Sequence, residues 1–362
     1  MKYGVIGTGW IAKSFIDGAR MLCNAEFAAV YSRTAENGNK FASENNIPEV
    51  FTDIAEFAKS DFDAVYIASP NRLHYEQSKL MLENGKHVIC EKPITVDPEE
   101  LEELQSLAKK NGLIYIEAIM YMFNPAKKLL EDAVSKIGRI TSVHFDFSQL
   151  SSKYPAYLAG SLPNIFNPAL ATGCLMDLGI YCVYPALDLF GLPQKITACA
   201  HFMESGADGS GTAGLLYPEK LITFTYSKLG QDRLGSQIFG DEGTIKIESI
   251  SKLINMSTTA KNGDIQEIIG DVPKEKLMGY EALGFERFIA DPSDEYYQVT
   301  RQRALQTSQI MKQIRNCGNS MAPVGQAAML QNTIRKMPES IMVDPHGIIR
   351  HYLILKDIRF HR

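Results

Sequence analysis

Lys2-Tyr3-Gly4-Val5-Ile6-Gly7-Thr8-Gly9-Trp10-Ile11-Ala12 is the stretch from which the rest of the chain is read. Tyr3 to Ile6 is short and mostly apolar, the pattern of a buried parallel strand. Gly7-x-Gly9-x-x-Ala12 follows at once, and an amphipathic segment runs from Ile11 to Leu22. Strand, glycine turn and helix in that order is the context in which such a pattern binds a dinucleotide. Gly7 permits the tight turn, Gly9 has no Cβ to hold a pyrophosphate off the backbone, and Ala12 lets helix and strand pack closely. The helix N-terminus adds free N–H groups and a positive dipole end. Gly7, Thr8, Gly9, Trp10 and Ile11 are therefore the expected cofactor cradle.

Working outward, strands are expected at 26–32, 50–51, 63–68, 87–90 and 113–118, with helices between them. Thr34 and Asp53 read as N-caps, Asp97 with Glu100 as a capping box, and Gly85 as a helix stop. This β-α alternation predicts a Rossmann-type, doubly wound parallel sheet over residues 1–121. From Asn124-Pro125 the grammar changes. Helices are expected to 137, at 175–190, 276–290 and 298–316, around a run of strands near 139–149, 194–204, 211–217, 220–228, 234–240 and 243–248. Residues 122–320 thus read as an α/β domain with an open, mostly antiparallel sheet. A basic tail, 321–362, lacks domain-like periodicity and is expected to be dispensable for chemistry.

The chain has 362 residues, 45% apolar and 22% charged, with a net charge of −5. That length suits two domains. The charge gives no reason to expect nucleic acid or an anionic membrane as partner. Six scattered cysteines without a C-x-x-C suggest buried thiols in a reducing, cytoplasmic setting. No signal peptide is read before the first strand, and no apolar stretch is expected to span a bilayer.

In an open α/β sheet the ligand lies beyond the carboxyl ends of the strands. That rule selects the glycine turn, Ser32-Arg33, Ser69 to His74 (with Asn71) and Glu91-Lys92-Pro93. An NAD-binding fold usually places Asp or Glu near position 32–33 to accept from the ribose hydroxyl. Here a hydroxyl and a guanidinium stand instead, and Arg can bind a 2′-phosphate with two charge-assisted bonds. NADP is preferred over NAD on that ground. Lys92, read alone, is a surface lysine beside a glutamate, but its place at the crevice makes it a site candidate. In the second half, Asp177 and Tyr181 are four residues apart and share a helix face within an apolar segment. The alternative there is a capping Asp and a core Tyr. Glu117 is either a site residue or a solvated strand end. His74 and His87 lack metal-ligand spacing, and no metal is expected.

Together these motifs resemble the glucose–fructose oxidoreductase/inositol dehydrogenase (Gfo/Idh/MocA) family over roughly residues 1–318. The carrying stretches are Gly7 to Ala12, Ala68-Ser69-Pro70-Asn71 with His74, Gly85 to Pro93, and Asp177 to Tyr181. The resemblance implies hydride transfer at a sugar, polyol or dihydrodiol carbon, and a homodimer or larger oligomer formed through the second sheet. It implies that Lys92 contacts nicotinamide ribose and substrate and that Asp177 orients substrate. Tyr181 stands where inositol-type members carry histidine. Tyrosine there, with Ser32-Arg33, is similar to the dihydrodiol dehydrogenase-like branch. A deoxysugar or ketose reductase of the family, or a silent dinucleotide-binding regulator, are the alternatives. Cys174 departs from the family pattern, where a second glycine is common.

Overall fold

The computed structural model describes residues 1–320; the tail expectation falls on positions outside the described residues. Six parallel strands form the first sheet: β1 (Lys2–Ile6), β2 (Glu26–Tyr31), β3 (Glu49–Phe51), β4 (Ala64–Ile67), β5 (His87–Glu91) and β6 (Tyr115–Ala118). Their order is β3-β2-β1-β4-β5-β6, the Rossmann order. It reverses between β1 and β4, so the crevice at the carboxyl ends of those strands is where a ligand lies. The expected caps form: Asp53 accepts from the Ala55 and Glu56 amides at 2.7 and 3.0 Å, and Asp97 and Glu100 close a capping box. Such caps contribute roughly 1 kcal/mol each. Ala12, Phe15, Ile16 and Ala19 bury one face of the fingerprint helix (Trp10–Leu22), and Phe15 stacks on Tyr66 at 3.8 Å.

The second sheet has eight strands: β7 (Ile140–Ser148), β8 (Lys195–Phe202), β9 (Asp208–Leu216), β10 (Leu221–Ser227), β11 (Ser236–Gly240), β12 (Gly243–Ser249), β13 (Ile254–Ala260) and β14 (Ile265–Ile269). The order is β14-β13-β12-β11-β7-β10-β9-β8. Neighbours are antiparallel except β7 with β10. The hairpin β13–β14 exceeds the sequence expectation. Its Ser257, Thr258 and Thr259 and the edge position of β14 blur the alternation that marks half-buried strands. One face buries Val143, Phe145, Ile222, Phe224, Ile238, Ile245 and Ile247 in a core that also holds residues of the helices Ile180–Phe190 and Glu295–Ser320. The other face carries hydroxyls and a cross-strand pair of exposed leucines, Leu216 and Leu221.

Packing does not follow chain order. The helix Lys274–Ala290, late in the sequence, buries Leu277, Met278, Ala282, Phe285 and Phe288 with Tyr3, Phe15 and Tyr66 of the first sheet. Gly18 and Gly279 make the approach possible. A Cβ on Gly18 would lie 2.3 Å from the Glu275 carbonyl oxygen, and one on Gly279 would lie 2.6 Å from that of Gly18.

The span expectation needs correcting: Pro168–Phe190 is long and apolar enough to cross a bilayer by length and composition, but 72% of its apolar window is buried inside the protein. Its apolarity serves the second core. Nor are the thiols uniformly buried, since Cys199 is exposed on β8.

Candidate active site

Side chains of both sheets line one cleft of about 870 Å³. Trp10, Ile11, Ser69, Asn71, His74, Glu91 and Lys92 line one wall, and Asp177 and Tyr181 the other. Gly7, Thr8, Gly9, Ser32 and Arg33 are not in this lining. Gly7 adopts φ +111°, and a Cβ there would lie 2.5 Å from the Ala68 carbonyl oxygen, so the turn requires glycine. Gly9 caps the fingerprint helix without any side-chain bond, and a Cβ there would meet nothing within 4 Å. That open space at a helix N-terminus fits a pyrophosphate. Ser32 is buried, its amide donating to the Phe51 carbonyl at 3.0 Å. Arg33 is exposed and makes no ion pair among the described residues. A guanidinium placed so at the end of β2 fits a 2′-phosphate.

The strand-end loops are tied together. His74 is buried, with Nδ1 2.8 Å from the Pro93 carbonyl oxygen and Nε2 2.9 Å from that of Ser69. It braces the Ser69 loop against the Glu91-Lys92-Pro93 loop, and burial lowers its pKa against those bonds. Ser69 Oγ donates to Gln77 at 2.6 Å, and Asn71 Nδ2 donates to the Ala171 carbonyl at 2.8 Å, linking the two halves across the cleft. Glu117 is neither solvated nor in the cleft lining. Its carboxylate accepts from the Ile94 amide at 2.8 Å and from the Tyr184 hydroxyl, directly behind the Lys92 loop. Burial pushes it up to about 7, against those two bonds.

Lys92, Asp177 and Lys228 form an ion-paired triad. The Lys92 ammonium donates to Asp177 Oδ1 at 2.7 Å and to the Asp177 carbonyl at 2.9 Å, while the buried Lys228 pairs with Oδ2. Asp177 lies in a single π turn, Leu175–Gly179, rather than in a plain α-helix. Such wide turns recur at functional sites. Cys174 and Asp208 hold its start: Asp208 Oδ2 accepts from the Leu175 amide at 2.7 Å and from Cys174 Sγ at 3.1 Å. Burial works against both charges of the Lys92–Asp177 pair. Lys92 and Lys228 nevertheless hold Asp177 well below the usual carboxylate range, and Asp177, Tyr181 and Glu91 hold Lys92 above the usual lysine range.

Tyr181 is half-buried and packs edge-on against Phe147 at 5.4 Å, with Lys92 Nζ 5.2 Å from its ring centroid. Its hydroxyl makes no hydrogen bond among the described residues. An ammonium beside a tyrosine by itself lowers the tyrosine pKa. The balance runs the other way: burial first, then Glu91, Glu281 and Asp177, raise it beyond the opposing effect of Lys92. That hydroxyl therefore holds its proton more tightly than a free tyrosine does.

Lys228 and Lys274 escape sequence reading. Lys228 follows the strand Leu221–Ser227, where a lysine ordinarily marks a solvated end. Lys274 stands at the first position of its helix, and its ammonium lies 3.7 Å from the Trp10 ring centroid. The rest of the second wall is mixed: Asp146, Gln149, Gln231, Asp232, Ser249 and Ser251 stand beside Phe147, Leu178 and Ile250.

Comparison with known proteins agrees with this geometry. The family model "Oxidoreductase family, NAD-binding Rossmann fold" matches residues 1–119, and "GFO/IDH/MocA C-terminal domain" matches 123–246. The chain is 38% identical over 328 residues to a scyllo-inositol 2-dehydrogenase (NADP(+)) of Bacillus subtilis, covering 90% of this chain and 100% of the relative. It is 31% identical over 228 residues to the trans-1,2-dihydrobenzene-1,2-diol dehydrogenase of Bos taurus, covering 60% and 65%. A 3-ketoreductase of Actinomadura kijaniata, solved with NADP and TDP-benzene, shares the fold at TM-score 0.77 and 19% identity, covering 87% of this chain and 97% of that one.

Proposed function

This chain belongs to the GFO/IDH/MocA family of oxidoreductases, and from that premise we propose that it is NADP-dependent and acts on a polyhydroxylated small molecule, a cyclic polyol foremost. One observation carries the reading: Lys92 of the first sheet and the Asp177–Tyr181 segment of the second half meet on one cleft whose far wall sets many hydrogen-bonding side chains among a few apolar ones, Phe147, Leu178 and Ile250. Hydroxyls of a sugar or polyol can pair with Asp146, Gln149, Gln231, Asp232, Ser249 and Ser251, groups that a substrate with few hydroxyls would leave unpaired. The similarity to an NADP-linked inositol dehydrogenase over its whole length supports the same class. Arg33 supports NADP.

When bound, the nicotinamide supplies or takes the hydride; the chain does the rest. In the reductive direction the Tyr181 hydroxyl donates its proton to the carbonyl oxygen as that oxygen gains charge. The Lys92 ammonium favours both the developing alkoxide and the tyrosinate left behind. Asp177, fixed by two lysines, stays ionised and accepts from a substrate hydroxyl, which sets the face presented. In the oxidative direction the same proton returns to Tyr181.

The working assembly is a cytoplasmic homodimer formed through the open face of the second sheet. The exposed Leu216–Leu221 pair on that face supports this, since a free sheet face favours cover over its apolar residues. Sedimentation at micromolar protein tests it, a monomer being the contrary result. The function is tested by the absorbance of reduced cofactor with a panel of inositols, sugars and dihydrodiols. NADP-linked turnover of a cyclic polyol is expected. Tight NADP binding with no turnover across the panel would overturn the enzymatic reading in favour of a silent dinucleotide binder.

A further inference from the structure

Lys274 has no role in the chemistry above, yet its ammonium lies against the first residue of the fingerprint helix and lines the cleft. It begins the helix Lys274–Ala290, whose position is set by the Gly18–Gly279 contact with the fingerprint helix. Its ammonium lies over the indole of Trp10, at 3.7 Å from the ring centroid. Trp10 is the first residue of the fingerprint helix, directly after Gly9. The ammonium is half-buried and makes no ion pair among the described residues. Placing a lysine there is costly without an anion, because burial disfavours the charge. Cation–π contact with Trp10 offsets only part of that cost. Gly9, the residue before Trp10, faces open space, since a Cβ there would touch nothing within 4 Å.

We propose that Lys274 is a further cofactor-binding residue, its ammonium meeting the pyrophosphate of the dinucleotide where it docks between Gly9 and Trp10. This rests on the cofactor reading given above. A helix N-terminus offers only about half a positive charge, and a pyrophosphate carries more negative charge than that. Lys274 supplies the difference from a helix that is late in sequence but packed on the first sheet. Four charged groups act on it: Glu91 and Glu281 favour its charged form, and Lys252 and Lys92 oppose it. Burial outweighs them and lowers its pKa to about 8; a bound anion would restore it.

Trp10 is the sole tryptophan of the chain, so its fluorescence reports on this place directly. NADPH, NADP and NADH are titrated into the intact protein, Lys274→Met, Lys274→Arg and Arg33→Ala. Pyrophosphate is common to all three ligands. Lys274→Met should therefore raise Kd for phosphorylated and unphosphorylated cofactors by the same factor, about 10–150-fold. Lys274→Arg should recover most of the affinity. Arg33→Ala should weaken only the 2′-phosphorylated forms. Removing an unpaired half-buried charge should leave the thermal midpoint of Lys274→Met unchanged or higher, which separates a binding role from a structural one. Should Lys274→Met fail to fold, Lys274→Gln gives the same reading with a polar stem. Unchanged Kd in a variant whose parent binds normally would overturn the role of Lys274 alone. A loss confined to NADP and NADPH would also overturn it, by moving the contact to the 2′-phosphate. No binding by the unaltered protein would overturn the cofactor reading instead.

Discussion

The two walls of the cleft are built by different means. Beside the first wall the expected cofactor cradle is backbone: a left-handed glycine, a missing Cβ and a helix N-terminus, all within Gly7 to Ala12. On the second wall side chains meet the cleft, drawn from segments far apart in sequence: Asp146, Asp177, Tyr181, Asp232 and Ser249, with Lys228 paired to Asp177. A backbone site is local, so its residue types and spacing are forced and portable. A side-chain site is assembled by the fold, and any one of its members looks ordinary in its own stretch. On the proposed function, the first wall and its glycine turn set the cofactor class, and the second sets substrate and proton transfer.

The largest expected effect sharpens this division. Tyr181→Phe removes the proton donor and should lower kcat by about 10²–10⁴-fold, while the Kd for NADP, set on the other wall, barely moves. Steady-state kinetics beside a cofactor titration checks both halves; a matching loss in NADP affinity would break the separation of roles. Next, Arg33→Ala should weaken NADP by about 10–150-fold, from the 1.5–3 kcal/mol of a charged hydrogen bond, and change NAD little. Equal losses for both cofactors would remove Arg33 from the 2′-phosphate.

Glycines test the same contrast by stability. Gly279→Ala forces a Cβ to 2.6 Å from the Gly18 carbonyl oxygen. Overpacking of this kind costs about 1–3 kcal/mol, a drop in Tm of roughly 2–12 °C at about 2–4 °C per kcal/mol. Gly9→Ala meets nothing within 4 Å. It should cost at most about 1 kcal/mol through its cap position, yet weaken the dinucleotide. Calorimetry with a binding titration shows whether the two glycines separate in this way.

Much of the fold was legible before any coordinates. Thr34, Asp53 and the Asp97–Glu100 pair cap helices where local chemistry demands, and the parallel strands are apolar runs between them. The hairpin β13–β14 was not legible, because neither the hydroxyl-rich β13 nor the short edge strand β14 carries much hydrophobic period. The placement of the helix Lys274–Ala290 on the first sheet was hidden as well, since the Gly18–Gly279 contact joins residues far apart in sequence. At the site, Lys92, Asp177 and Tyr181 could be selected by strand end and helix face. Their electrostatics could not. The sign of the Tyr181 shift depends on burial and on Glu281, and Lys228 enters only through the fold.

The smallest effect concerns Glu117, which stands behind the Lys92 loop. Burial raises its folded pKa to about 7, above the unfolded value of about 4.3. The folded state thus holds the proton more tightly. Its contribution to stability is full below about pH 4.3 and is lost as pH rises through about 7. Glu117→Gln cannot titrate, so its Tm should change less over that interval than the parent's. Identical slopes in the two proteins would show that Glu117 is not the group responsible.

Joint action of Lys92 and Tyr181, one from each wall, is tested most directly by a kinetic double-mutant cycle of Lys92→Met and Tyr181→Phe. If the ammonium and the hydroxyl serve one proton transfer, either loss disables the unit. The double variant should then have a kcat close to that of the worse single variant. Losses that multiply would show two groups acting independently. A Tyr181→Phe enzyme with undiminished kcat would return that side chain to the core.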